Sequence, residues 1–363
     1  MKKILCLFPR FGIGGIPKAL CFVANVCHEA GYEVICTAMS MEEESISLHG
    51  EIPKYYVEYR QQGSVWNRLK GKLQFFWRLR NHFKEIQPDL ILVFGADNTR
   101  IALMASAGMG CKIIGSERGN PERYTPKQKK KYAKAFQRLD AVVFQTEMAK
   151  GMYAPEVQRR GVIIPNPAAP RHKDVTVFSG ERDHTIVTCS RLSKEKNLQG
   201  VIRAFAKMVE QHPEYQLRIY GDGPQQKELE QLSVSLGIEK RVFFFGNQAD
   251  VFELERACGM YVLNSLEEGM PNALIEAMLA GIPSIATDCP SGGVQFLSDG
   301  GRRVRLVPVH DDDNLTTAML ELAEDKVLSE QLVERSKELT TILKPETIGK
   351  KWLDLIETIW KSK

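Results

Sequence analysis

The chain contains no Cys-x-x-Cys pair and no Cys/His group at zinc-ligand spacing, although it holds eight cysteines. Zinc ribbons and fingers are excluded on that ground. Cys6, Cys36, Cys189 and Cys258 stand in apolar stretches, the usage of small core residues in a reducing cytoplasm rather than of a disulfide framework. No apolar run reaches the roughly 18 residues of a membrane-crossing helix. The amino-terminal apolar run breaks at Pro9 and Arg10, short of the ~7–15 residues of a signal-peptide core, so it reads as a first buried strand. Low-complexity tracts and short repeats are lacking, which excludes fibrous and disordered classes. The full Gly-x-Gly-x-x-Gly spacing is also missing. After Gly12 and Gly14 the third glycine would fall where Pro17 stands, which disfavours a nicotinamide-type Rossmann site.

What is present is the composition of a globular chain of 363 residues, 43% hydrophobic and 26% charged. That length exceeds what one core usually supports, so two domains are expected. The net charge of +4 divides unevenly: residues 1–165 carry +10 and residues 166–363 carry −6. A basic half and an acidic half suit different partners. Short β-rich apolar runs alternate with amphipathic stretches throughout, the mark of parallel sheets with crossover helices. In the first half, strands are predicted at 4–8, 33–38, 90–94, 112–115, 141–144 and 162–164, with helices such as 18–30 and 127–138. A stretch with Pro167, Pro170 and polar residues up to about 183 reads as a linker. The pattern then restarts, with strands at 185–189, 216–220, 242–245, 260–264 and 283–287 and helices at 198–210, 225–236, 251–257 and 271–280. The tail from 345 to 363 is a last amphipathic helix. The resulting expectation is an α/β chain of two doubly wound Rossmann-like domains, 1–167 and 168–344. Ligands are expected at the carboxyl ends of the strands, in a cleft between the domains.

Four segments could carry chemistry. Glu268 precedes a turn at Gly269, a helix starts near Pro271, and Glu276 follows about one and a half turns later. Backbone N–H groups at such a start attract phosphate or sugar oxygens, and carboxylates suit vicinal hydroxyls. On spacing alone, two solvated glutamates remain the more ordinary reading. Glu276, however, lies in the nearly all-apolar helix from Ala273 to Ala280, where a carboxylate needs a partner that a ligand could supply. Arg191, Lys194 and Lys196 crowd the end of another strand, as an anion site or as a solvated basic loop. Tyr220, Gly221, Asp222 and Gly223 form a tight turn that lets a ligand approach or is simply a turn. Gly12, Gly14 and Gly15 follow the first strand. Asp311, Asp312 and Asp313 precede an amphipathic helix and read as its amino-terminal cap rather than as metal ligands.

Together these residues resemble the retaining glycosyltransferases of family 4. The features are Arg191 with Lys196, the turn at Gly221, Gly246 after a phenylalanine-rich strand, and Glu268 eight positions before Glu276 with Gly269, Pro271 and Asn272 between. Ile163, Ile164, Pro165, Asn166 and Pro167 at the domain junction and the Gly14–Gly15 loop match as well. The resemblance implies the GT-B fold, with two domains facing each other across a cleft. Residues 1–167 would bind the acceptor and 168–344 the nucleotide-sugar, and the helix 345–363 would return to the first domain. It further implies that Arg191 and Lys196 hold the donor diphosphate and Glu276 the nucleotide ribose. Glu268 and the backbone of Gly269, Met270, Pro271 and Asn272 would hold the donor sugar. Gly14 and Gly15 would approach the diphosphate or acceptor, while Gly246 and Asn247 lie near the base. Similar enzymes transfer with retention and need no metal, the cations stabilising the leaving diphosphate instead. No separate cofactor is implied beyond the donor, with UDP-sugars favoured.

The first domain departs most from the family pattern. A strand ends at Gly115 and Ser116, and Glu117 or Arg118 then becomes the candidate for orienting the acceptor or assisting proton transfer. This segment, with Gly119, Asn120 and Pro121, and the later Asp288, Cys289, Pro290, Gly292 and Gly293 resemble bacterial members that extend lipid-linked surface glycans; a plain structural loop is an equal reading of each. Trp66, Leu69, Leu73, Phe76 and Trp77 alternate with arginine and lysine, a pattern for a membrane interface or for a helix packed on the sheet. A cytoplasmic enzyme, peripheral on the inner face of the membrane, would use it on a polyprenyl-linked acceptor. Nucleic acid is not expected as a partner, because no binding motif accompanies the charge. The rival reading from another class is a nucleotide-sugar-binding protein with a degenerate site. A UDP-sugar epimerase is disfavoured by the spacing of the two glutamates.

Overall fold

The computed structural model describes residues 2–12, 14–40, 47–58, 65–168, 178, 180–290 and 292–361, with the backbone alone for 65–69. The chain divides into two units, Met1–Asn166 with Glu346–Lys363, and Pro167–Pro345. Most of the stretch expected to be a linker, 169–177 and 179, lies outside the described residues, as do the side chains of Trp66 and Leu69.

The first unit is built on seven parallel strands: β1 (Lys3–Phe8), β2 (Glu33–Ala38), β3 (Lys54–Tyr56), β4 (Leu90–Phe94), β5 (Lys112–Ser116), β6 (Ala141–Phe144) and β7 (Gly161–Ile163). Their order is β3-β2-β1-β4-β5-β6-β7. β4 and β6 are buried along their whole length, which is why they read as unbroken hydrophobic runs rather than alternating ones. Successive side chains of β1 feed two cores. Ile4, Cys6 and Phe8 meet helices Gly15–Glu29 and Pro345–Lys361 on one face. Leu5 and Leu7 meet Val65–Ile86, Ala96–Ala105 and Pro126–Phe136 on the other. The carboxyl-terminal helix is thus an integral part of the first unit. Its Trp352 is fully buried and stacks on Phe94 with ring centroids 5.4 Å apart.

The second unit has six parallel strands: β8 (Thr185–Cys189), β9 (Gln216–Tyr220), β10 (Val242–Gly246), β11 (Met260–Leu263), β12 (Ser284–Thr287) and β13 (Arg305–Val307), in the order β10-β9-β8-β11-β12-β13. Helices Leu198–Met208 and Asp312–Glu324 cover one face and Asn272–Leu279 the other. Both sheets are doubly wound. Strand order reverses between β1 and β4 in one and between β8 and β11 in the other, the positions where open α/β sheets bind ligands.

Two edge strands, β3 and β13, are not predicted by the sequence pattern. Each has only three residues, and β13 includes the charged Arg305. The arginine-rich stretch before β13 is structural. Arg303 is buried and pairs with Asp299 at 3.4 Å and with Glu338. Arg305 makes a forked pair to Glu321 at 2.6 and 3.2 Å. The three aspartates do form a helix start: the Asp311 side chain accepts from the Asn314 backbone N–H at 2.9 Å, which pulls its pKa down.

Candidate active site

The loops after β8 and β11, flanking the reversal in the second sheet, carry Arg191, Lys196 and Glu268. The loop after β8 closes with a 3-10 turn, Lys194–Lys196, and a left-handed Asn197. It is tied to the loop after β11 at three points. Leu266 N–H donates to the Glu195 carbonyl at 2.8 Å, and the Asn264 amide donates to the Asn197 carbonyl at 3.1 Å. The third tie is an ion pair between Lys196 Nζ and Glu268 Oε1, both half-buried. Ser265 Oγ, itself buried, donates to the same carboxylate oxygen at 2.8 Å. Lys196 and Glu268 are 72 residues apart, so only the fold brings them together.

Glu276 lies in the second turn of helix Asn272–Leu279, which begins after Pro271 without a capping side chain. The buried Tyr261 hydroxyl feels both glutamates. Burial pushes its pKa well up, and the charges of Cys189, Glu268 and Glu276 push in the same direction. Burial also pushes the Cys289 thiol up to about 12, with the Glu268 charge adding to it. The loop after β12 therefore abuts the same carboxylate. Arg191 is exposed at the rim, and its charge acts with that of Lys196 on Glu195.

The neighbouring loops are in backbone contact along this edge. Gly246 accepts from Gly221 N–H at 2.7 Å. A Cβ on Gly221 would sit 1.9 Å from the Ser190 carbonyl oxygen, and one on Gly293 would sit 1.8 Å from that of Gly269. The carboxyl edge is thus one continuous line, from Gly246 through Gly221 and the Lys196–Glu268 pair to Gly269 and Gly293. Asn247 is exposed at its outer end and Met270 is buried at the inner end. The Lys196–Glu268 pair, with Arg191 on the same loop as Lys196 and helix Asn272–Leu279 starting just beyond Glu268, is an arrangement suited to an anionic, hydroxyl-rich ligand.

In the first unit, Glu117 follows β5 and is 2% exposed. Its Oε1 accepts from the backbone N–H groups of Arg118 and Gly119, both at 2.9 Å, and from Tyr124 Oη at 3.0 Å. Its Oε2 accepts from Tyr153 Oη at 2.5 Å. Burial, with the carboxylate charge second, raises both tyrosine pKa values. The guanidinium of Arg118 lies over the Phe94 ring at 4.3 Å and donates to Asn166 Oδ1 at 2.6 Å; burial lowers its pKa. Gly14 and Gly15 are exposed at the carboxyl end of β1, where Gly14 caps the first helix. The buried Gln145 amide donates to the same Asn166 oxygen at 2.9 Å; the sequence motifs do not reach it, nor Tyr153 or Tyr261. The one signal for Gln145 is a polar residue directly after a buried strand; Tyr153 and Tyr261 carry none.

Two doubly wound parallel sheets in tandem, the second ending in this Lys–Glu edge, give the chain the architecture of the GT-B class. Its relatives agree with this architecture: the chain matches the family "Glycosyl transferases group 1" over residues 173–339. It is 26% identical over 363 residues, 99% of each chain, to the GalNAc-alpha-(1->4)-GalNAc-alpha-(1->3)-diNAcBac-PP-undecaprenol alpha-1,4-N-acetyl-D-galactosaminyltransferase of Campylobacter jejuni. It is 32% identical over 225 residues to an exopolysaccharide phosphotransferase of Streptomyces coelicolor, a match covering 60% of this chain but only 23% of that protein. Among solved structures, Anabaena HepE in complex with UDP-glucose superposes with a TM-score of 0.78 at 19% identity, over 99% of this chain and 100% of the other.

Proposed function

We propose that this chain transfers a hexose or N-acetylhexosamine, with retention, from a UDP-sugar to a glycan or polyprenyl-linked acceptor in cell-surface polysaccharide assembly. The observation that carries the reading is the Lys196–Glu268 pair within the continuous carboxyl edge of the second sheet. Lys196 and Arg191 would hold the diphosphate and stabilise the charge that builds on it as the sugar departs. Glu276 would bind the ribose, and Gly221, Gly246 and Asn247 would border the base. Glu268 and the backbone of Gly269, Met270, Pro271 and Asn272 would hold the sugar. Gly14 and Gly15 would meet the diphosphate or the acceptor. We assign Glu117 to the acceptor side, acting through the turn it fixes, which carries Arg118. The C. jejuni relative, named for an undecaprenyl-linked acceptor, supports the lipid-linked class, and HepE, solved with UDP-glucose, supports the base. Titration calorimetry with UDP and GDP, followed by transfer assays, tests the proposal. Binding without turnover would favour a degenerate sugar-nucleotide-binding protein, and no nucleotide binding would remove both readings.

The acceptor class also fits the first unit's helical face. Helix Val65–Ile86 buries Phe75, Leu79, Phe83 and Ile86 on the sheet but leaves Leu73 72% and Trp77 67% exposed, one turn apart. Exposed Lys70 and Lys84 lie on the same face of the helix. Helix Pro126–Phe136, on the same side of the sheet, presents Lys127, Lys129, Lys130, Lys131 and Lys134. Aromatic and aliphatic side chains among lysines suit an anionic bilayer surface. None of the described helices is long and apolar enough to cross a membrane, so attachment would be peripheral, on the cytoplasmic leaflet. The wild-type chain is expected to sediment with phosphatidylglycerol-containing vesicles at low salt. The double substitution Leu73→Ala with Trp77→Ala should reduce the bound fraction severalfold without altering the melt. Equal sedimentation with neutral vesicles would count against the assignment.

A further inference from the structure

We propose that His28, His49 and Glu51 form a surface site for a divalent ion of the zinc type, separate from the sugar-nucleotide site. Among the described residues these three bring one ligand atom each to within 4.8 Å of one another. His28 Nε2 lies 3.5 Å from Glu51 Oε2. The two imidazole rings have centroids 4.6 Å apart and planes inclined by 38°. With bonds of about 2.0–2.1 Å in a tetrahedral site, neighbouring ligand atoms lie roughly 3.4 Å apart. The histidine–carboxylate pair already has that separation, and the widest separation closes with a small side-chain rotation. His49 Nδ1 faces the Glu51 backbone N–H at 3.5 Å, a long contact that an ion would replace.

The scaffold holds these side chains without any ion. His49 N–H donates to Asn25 Oδ1 at 2.9 Å, and the Asn25 amide donates to the Ser47 carbonyl at 2.9 Å. Cys21 Sγ reaches the same carbonyl at 3.1 Å. Ile52, which follows Glu51, is buried, and its N–H returns to the His49 carbonyl at 3.0 Å. The segment leading into β3 is therefore pinned along the helix that carries His28. Residue 28 is in the last turn of Gly15–Glu29. It stands about 20 Å along the helix from Gly15 at 1.5 Å per residue, so the site is at the far end from the carboxyl edge of β1.

Two imidazoles and one carboxylate select borderline transition ions over magnesium or calcium, which take oxygen ligands. Three protein ligands leave a position for water or a further ligand. Bound there, the ion would clip the segment that feeds edge strand β3 to the helix. The test is a titration of the metal-free full chain with zinc chloride, followed by calorimetry and by thermal unfolding. One saturable site is expected, with a melting temperature that rises with zinc concentration as ligand linkage requires and does not respond to magnesium chloride. His28→Ala and His49→Ala should each weaken binding at least about tenfold, and Glu51→Gln by less, while all three melt like the wild type without zinc. Absence of saturable binding would overturn the proposal. So would zinc binding undiminished in both histidine variants, which would place the ion elsewhere, for instance on a cysteine.

Discussion

Lys196→Ala is expected to lower kcat/KM at least about tenfold, roughly 1.4 kcal/mol, and to weaken UDP binding in step. The substitution removes a cation that the diphosphate would meet and leaves the half-buried Glu268 carboxylate with its ion-pair partner gone. That carboxylate would then repel the ligand's phosphates. Glu268→Gln makes the opposite change at the same spot. It keeps the shape and an acceptor for Ser265 Oγ but drops the negative charge that neutralises Lys196. UDP should therefore bind Glu268→Gln at least as tightly as the wild type, while transfer from the intact UDP-sugar falls because the sugar loses its carboxylate. Glu276→Ala removes the carboxylate assigned to the ribose and should cost nucleotide affinity as well, at least about tenfold. Calorimetry with UDP and initial rates with the UDP-sugar separate these three outcomes. Lys196→Ala and Glu276→Ala with unchanged affinity and unchanged kinetics would refute the assignment of the site.

Much of this arrangement is legible in the amino-acid sequence, and the reasons are particular. Strands such as β4 and β6 are buried on both faces, so each is an uninterrupted apolar run that follows an aspartate, Asp89 or Asp140. Pro271 stands immediately before helix Asn272–Leu279 and marks its start. What spacing cannot show is which charges meet. Lys196 and Glu268 become partners only because β8 and β11 are adjacent in the sheet, a pairing fixed by strand order and not by local pattern. Glu117 reads as available for chemistry because it follows a strand end. Its burial among four donors depends on Tyr124 and Tyr153, which arrive from turns 7 and 36 positions further along the chain. The edge strands β3 and β13 escape notice because three residues with charged members carry no periodicity. Nothing in the local pattern marks Arg303 for burial, yet the fold buries it beside Asp299 and Glu338.

Gly221→Ala should be the most damaging small substitution in the second unit, costing about 3 kcal/mol or more. Two independent causes add. The residue has φ of 120°, a conformation that L side chains rarely adopt, and its Cβ would sit 1.9 Å from the Ser190 carbonyl oxygen. That oxygen belongs to the backbone of the loop carrying Arg191 and Lys196, so relief requires the donor loop itself to move. Gly237→Ala separates the two causes: φ is 71°, yet nothing lies within 4 Å of the added methyl, so only the conformational cost of about 1 kcal/mol remains. The four tryptophans, at 66, 77, 352 and 360, all belong to the first unit. A fluorescence melt therefore reports that unit, while circular dichroism or calorimetry reports both. The expected result is a calorimetric transition lowered strongly by Gly221→Ala and weakly by Gly237→Ala. UDP affinity should be lost at Gly221 and kept at Gly237. Equal shifts for the two variants would mean that the loop after β8 yields freely, and the rigid stitching of the carboxyl edge would have to be abandoned.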